Sequence, residues 1–267
     1  MSRIASIVAP LFVPADRPER FVKAAGSGAD AVILDLEDAV SPDRKEAARS
    51  ALDAGFTDLP VIVRVNAAGT PWFEDDLAAV ARLPIAAVML PKADHAAPLA
   101  RVAAVAPVIA LVETVRGIAD ARAVASGGHV ERLAFGSVDY AADLGCDHVR
   151  VALAAARAEL VVASRLANLP QPLDGVTTDV ADAAITQDDA RHARALGFGG
   201  KLLIHPRQVP ATRAGFMPGR DEIRWAERVL GSGDGAAAVD GAMVDEPVRI
   251  RARALLDRAE RLSRLEQ

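Results

Sequence analysis

Cysteine is nearly absent. Cys146 stands alone in 267 residues, which excludes a disulfide framework and any multi-thiolate metal centre. Aromatic residues make up only 4%, so the core must come from Ala, Val, Leu and Ile, the palette of helices packed over buried parallel strands. The longest apolar run, Val102–Val112, is well short of the ~20 residues of a membrane span and is broken by Pro107. Positive charge is not in excess: the formal net charge is −5, which argues against a generic basic surface for nucleic acid. Neither GxGxxG nor GxxxxGK[ST] occurs, which removes the usual nucleotide fingerprints. Arg3 followed by Ile4–Val13 loosely mimics a signal peptide, but prolines punctuate the run and helix signals follow at once. The stretch reads as a first buried strand, and the chain as cytoplasmic.

What is present is ample apolar material, 51%, with 25% charged residues, the balance of a globular protein. Short apolar runs recur at Ile7–Val13, Ala31–Leu36, Val61–Val65, Ala86–Leu90, Val108–Val112, Leu133–Phe135, Leu173–Val176 and Lys201–Ile204. None alternates strictly, as strands covered on both faces should not. Helix punctuation lies between them. Asp16 and Glu19 make a capping-box pair before Phe21–Ala25; Ser41-Pro42 and Thr70-Pro71 place a cap before a first-turn proline. Thr186 and Asp189 open a helix that closes at Gly197, and the longest helical stretch is about His148–Ala167. Eight strand–helix units predict a (β/α)8 TIM barrel over residues 1–217. Residues 218–267 fall outside the repeat. They read as a C-terminal extension: a helix Arg220–Leu230, a Gly/Ala-rich break Gly231–Gly241 and a basic helix Val248–Leu265.

A barrel of this kind keeps its site at the C-terminal ends of the strands. Asp35-Leu36-Glu37-Asp38, Arg64-Val65-Asn66, Pro91-Lys92, Glu113-Thr114, Gly136-Ser137-Val138-Asp139, Asp174 and His205-Pro206 therefore converge on one rim. Carboxylates without thiols or a histidine cluster favour a hard cation such as Mg2+, and Glu113 and Asp139, on adjacent strands, can reach one ion. Each can equally cap the helix that follows. A guanidinium at the end of a buried strand, Arg64, needs an acid or an oxyanion, so it either meets substrate or pairs with the Asp35–Asp38 cluster. Arg17, Arg20 and Lys23 share one helix face that suits phosphates and also suits plain solvent. His95, His129, His148 and His192 read as structural, and nothing beside Cys146 suggests an activated thiolate.

Taken in order, Leu11-Phe12-Val13-Pro14, Asp35-Leu36-Glu37-Asp38-Ala39-Val40, Val63-Arg64-Val65-Asn66, Leu90-Pro91-Lys92, Leu111-Val112-Glu113-Thr114, Phe135-Gly136-x-x-Asp139 and Ile204-His205-Pro206-x-Gln208 resemble the citrate lyase β-subunit-like branch of the aldolase/citrate lyase family. Asp240-Gly241-Ala242-Met243-Val244-Asp245-Glu246-Pro247 resembles its lid motif. The resemblance implies a Mg2+-dependent carbon–carbon lyase that cleaves or forms a 3-hydroxyacyl-CoA such as citryl-, malyl- or citramalyl-CoA. It implies Glu113 and Asp139 as metal ligands, Glu37 and Asp38 behind them, and Arg64, Glu113, Gly136 and Ser137 on the substrate. It further implies Asp245 as an acid/base acting in a neighbouring subunit, and coenzyme A contacts from Arg17, Arg20, Lys23, His205 and Pro206. By sequence alone Asp245 is also a good helix N-cap. The partners implied are an acyl-CoA and a 2-keto acid, in a homo-oligomer (trimer or hexamer), with no nucleic acid or membrane. Two alternatives stay open: a metal-dependent 2-keto acid aldolase working without CoA, and a β subunit active only with an acyl-carrier protein.

Overall fold

The computed structural model describes residues 4–233 and 237–264. Arg3, part of the Gly231–Gly241 break and Leu265 lie outside the described residues. Eight parallel strands follow one another in chain order: β1 (Pro10–Pro14), β2 (Ala31–Asp35), β3 (Val61–Arg64), β4 (Ala87–Leu90), β5 (Val108–Val112), β6 (Arg132–Phe135), β7 (Leu173–Asp174) and β8 (Gly200–Lys201). The seam between last and first strand is closed by the Leu11–Leu203 bridge and by Lys201 N–H donating to the Val8 carbonyl. A Cβ on Gly200 would lie 2.6 Å from the Val8 oxygen, so the seam closes only over a residue without one. This is the expected (β/α)8 barrel, with helices outside it and further helices at the C-terminal end.

Side-chain alternation along each strand sorts the core into two layers. Ile33, Ile62, Met89, Ile109, Leu111, Ala134, Leu173 and Leu202 fill the barrel interior. Their chain neighbours, among them Val32, Leu34, Val61, Val63, Val108 and Val112, pack outward under the helices. The same parity decides the rim. Two residues beyond Ile33 comes Asp35, beyond Ile62 comes Arg64, beyond Leu111 comes Glu113, and beyond Ala134 comes Gly136. The period that buries the apolar layer also turns these four inward above it.

Several local expectations are corrected. Asp16 does not cap the first helix, because its carboxylate accepts from Arg44 Nε at 2.8 Å. Neither Ser41 nor Thr70 caps with its side chain: Ser41 Oγ donates to Asp43 and Thr70 Oγ1 donates to the Ala67 carbonyl. The Ala183–Leu196 helix is capped by Asp182, which accepts from Ala184 N–H; Thr186 is buried inside it, and Asp189 binds Arg150. The long helix begins at Ala154, not at His148. A hairpin, β9 (Ala237–Val239) with β10 (Ala242–Val244), begins inside the expected break and runs past Gly241, between the helices Arg220–Gly231 and Glu246–Arg264. Ala226, Val229, Val244 and Ala252 form a small core of their own there. No helix among the described residues is long and apolar enough to cross a membrane.

Candidate active site

At the C-terminal mouth of the barrel lies a cavity of about 340 Å³, lined by Asp35, Arg64, Glu113, Gly136, Ser137 and Asp139 together with an apolar wall. Strand register sets its centre, since Asp35 and Arg64 face each other across the β2–β3 ladder. Arg64 Nε and Nη2 each donate to Asp35 at 2.7 Å, and Nη1 lies 3.0 Å from Glu37 and 3.6 Å from Asp38. Asp35 is itself fixed by the N–H groups of Glu37 and Ala39. Burial alone would lower the Arg64 pKa, but the charges of Asp35, Glu37 and Glu113 hold it above its ordinary value. The structure thus contains the Asp35 ion pair foreseen as one alternative, and it places that pair inside the cavity.

Glu113 is a strongly perturbed acid. Burial, with the like charges of Glu37 and Asp139, raises its pKa from 4.5 to about 8. Its Oε1 accepts from Lys92 N–H at 2.9 Å. Its Oε2 lies against Gly136, where a Cβ would come within 2.4 Å of it. Glu37 is raised by burial as well, against the pull of Arg64 and Lys92. Carboxylates crowded to this degree are costly unless protons or a cation join them. Among the described residues no group of three or more His, Cys, Asp or Glu is placed as a full protein cage for a metal. Two carboxylates with open positions beside them suit Mg2+, which keeps water and substrate oxygens in its shell.

Lys92 is the residue that strand-end reading named without giving it a role. Its φ of 49° is left-handed, uncommon for a side-chain-bearing residue and found most often at functional sites. That turn aims its N–H at Glu113 while Nζ reaches Glu37 at 2.9 Å and Glu113 at 3.8 Å. His148, read as structural, shares a 2.9 Å hydrogen bond with the Ser137 hydroxyl. Among the remaining expected residues, Arg17, Arg20 and Lys23 are exposed beyond the end of β1. His205 Nδ1 accepts from Arg207 N–H just beyond β8. Asp245 Oδ1 accepts from Val248 N–H, as an N-cap would, and is not among the residues lining the cavity.

A parallel barrel with an acidic cluster and a locked arginine at its C-terminal mouth is the architecture of a barrel enzyme. The chain belongs to the HpcH/HpaI aldolase/citrate lyase family, whose model matches residues 9–206. It is a carbon–carbon lyase of that family. A citrate lyase subunit beta-like protein of Mycobacterium tuberculosis is 43% identical over 263 residues, covering 93% of this chain and 94% of that protein. A (3S)-malyl-CoA thioesterase of Cereibacter sphaeroides is 34% identical over 270 residues, covering 95% and 94%. The crystal structure of M. tuberculosis protein CitE in complex with magnesium, acetoacetate and coenzyme A superposes with a TM-score of 0.87 at 39% identity, covering 96% of this chain and 99% of that one.

Proposed function

We propose that the chain cleaves, or forms by condensation, a 3-hydroxyacyl-CoA, giving an acyl-CoA and a 2-keto acid in a Mg2+-dependent reaction. The observation that carries this is Glu113, a buried carboxylate raised to about 8 among other acids, with its Oε2 beside Gly136, where a Cβ would come within 2.4 Å of it. Glu113 and Asp139 would hold the metal, which when bound supplies a Lewis acid for the substrate's hydroxyl and carboxylate. Glu37 and Asp38 stand behind them, with Lys92 pinning Glu37. Arg64 presents fixed positive charge to the oxygen on which enolate charge develops. The Ser137 N–H, at the start of the Ser137–Leu144 helix, receives the keto acid's carboxylate, whereas the Gly136 N–H is taken by the Val112 carbonyl at 3.0 Å. The β8–β1 seam brings the loop bearing Arg17, Arg20 and Lys23 beside His205-Pro206, which supports coenzyme A entering on that side.

Asp245 would move the proton at the enolate carbon. Because it caps its own C-terminal helix away from the cavity lining, the arm of residues 218–267 would deliver it to the site of a neighbouring copy, making the working unit an oligomer. The test is release of 2-keto acid from citryl-, malyl- and citramalyl-CoA with and without Mg2+, alongside a free 4-hydroxy-2-keto acid. Cleavage only of the free acid, or no cleavage of any thioester by the isolated chain, would sink this reading. Mixing Glu113→Gln with Asp245→Asn chains, each inactive alone, should restore activity if the arm acts across subunits. No recovery would place Asp245 in its own chain's site or outside catalysis.

A further inference from the structure

A carboxylate has two oxygens, and at the helix start described above it meets the Ser137 N–H, the Gly136 N–H being taken. The Ser137 hydroxyl belongs to the same residue, which lines the cavity and is 1% exposed. That hydroxyl sits in a built place. A Cβ on Gly175 would lie 2.0 Å from Oγ, so the hydroxyl fits only beside a glycine. The Gly175 carbonyl is itself fixed, accepting from the buried ammonium of Lys201 next to Asp174. Among the described residues Oγ has one hydrogen-bond partner, His148 Nε2 at 2.9 Å.

The direction of that bond decides what it does. A hydroxyl has one proton, and a neutral imidazole carries its proton on one nitrogen only. Burial, with the charges of Arg157 and Lys201, holds the His148 pKa below its ordinary 6.5 against the pull of Asp189 and Asp174. The ring is therefore neutral near neutral pH. If the serine donated to Nε2, it would turn lone pairs toward an anion in the cavity. If Nε2–H donates, the serine proton is left for that anion, in a charge-assisted hydrogen bond. We infer that His148 is a positioning residue: it donates Nε2–H to Ser137, so that the serine hydroxyl donates to the second oxygen of the keto acid's carboxylate. This rests on the lyase reading above and adds to it a residue that does not itself line the cavity.

NMR of the ring nitrogens in the isotopically labelled full chain, with Mg2+ and pyruvate near neutral pH, tests it. The signals lost in His148→Gln identify His148. Its Nε2 should carry the proton, and a proton on Nδ1 alone overturns the inference. His148 is exposed, so its variants should fold, with an unchanged melting temperature as the check. In calorimetry His148→Ala should weaken Mg2+-dependent pyruvate binding about 10-fold. His148→Gln, whose side-chain N–H can donate in place of Nε2–H, should stay within about 3-fold of the unmodified chain. Ser137→Ala should lose as much as His148→Ala, and the double variant no more than either. Undiminished binding in a folded His148→Ala chain, or an equal loss in His148→Gln, overturns the inference and leaves the lyase reading standing. No Mg2+-dependent pyruvate binding by the unmodified chain overturns both.

Discussion

The two ends of the barrel each bury an arginine, and the two are treated in opposite ways. At the N-terminal end Arg132 is fully buried, and it donates to the carbonyls of Ile4, Ile7 and Gln171. Burial lowers its pKa to about 9 against the pull of Asp30, so it stays charged at neutral pH while knitting three backbone segments together. Asp30 beside it accepts from Val8 and Ala9 N–H. At the C-terminal end Arg64 is surrounded by acids and bonds side chains. The lower plug satisfies neutral backbone groups with a charge and so secures the fold. The upper cluster places like charges together and leaves them for a ligand to reconcile. One fold thus separates what holds it together from what it does, at opposite ends of the same strands.

The sharpest way to break that contrast is at the lower end. Arg132→Met would take the guanidinium donors away from the carbonyls of Ile4, Ile7 and Gln171, two of them in buried bonds, and lower stability by about 3–5 kcal/mol in urea titration. Arg64→Lys, which keeps a cation beside Asp35 and Glu37 but loses the guanidinium fork, should do the reverse, cutting turnover by about 10³-fold (about 4 kcal/mol) while costing less than half as much stability. Should the Arg64 variant unfold as readily as the Arg132 variant, the division of labour is wrong. Gly136→Ala would push a methyl to 2.4 Å from both Cβ and Oε2 of Glu113, so Mg2+ affinity measured by calorimetry should fall about 10²-fold and the melting temperature should fall with it. Next comes pH. Glu113 holds its proton to about 8 when folded but only to about its ordinary 4.5 when unfolded. Between these values the native state binds more protons, so metal-free stability falls as pH rises. In Glu113→Gln that contribution should vanish from the pH profile, and in the unmodified chain Mg2+ should stabilise more at pH 8 than at pH 5.5. The smallest effect is expected at Lys92. Lys92→Gly relieves the left-handed turn and keeps the N–H, so stability should shift by less than about 1 kcal/mol while Mg2+ affinity drops several-fold with the loss of the ammonium.

Much of this was legible in the residues. Buried parallel strands announce themselves as short apolar runs, and their ends nominate Glu37, Asp38, Arg64, Glu113, Gly136, Ser137 and Asp139. The rest depended on contacts between distant positions. Asp35 holds Arg64 from 29 residues away, and no local pattern distinguishes it from Glu37 or Asp38. Asp16 has the spacing of a cap, yet a guanidinium 28 residues on outcompetes the helix end. The last strand is shorter than its apolar run, ending at Lys201, since beyond it only Leu203 bridges to β1. The left-handed turn at Lys92 follows no glycine or asparagine signal. His148 carries no motif, and its tie to Ser137 depends on how the loop before Ala154 folds back.

The seam has one more consequence, for the order of events on the ribosome. Strands β1 to β7 can pair as they emerge, but the sheet keeps two open edges until residues 200–203 are available to join Val8 and Leu11. A nascent chain stalled short of that point exposes a long unprotected edge, a hazard for pairing with other chains. The loops after β1 and β8 meet only at this closing step. Closing the seam and completing the mouth are therefore one event, and a chain truncated before residue 203 should be recovered as aggregate rather than as a weakened enzyme.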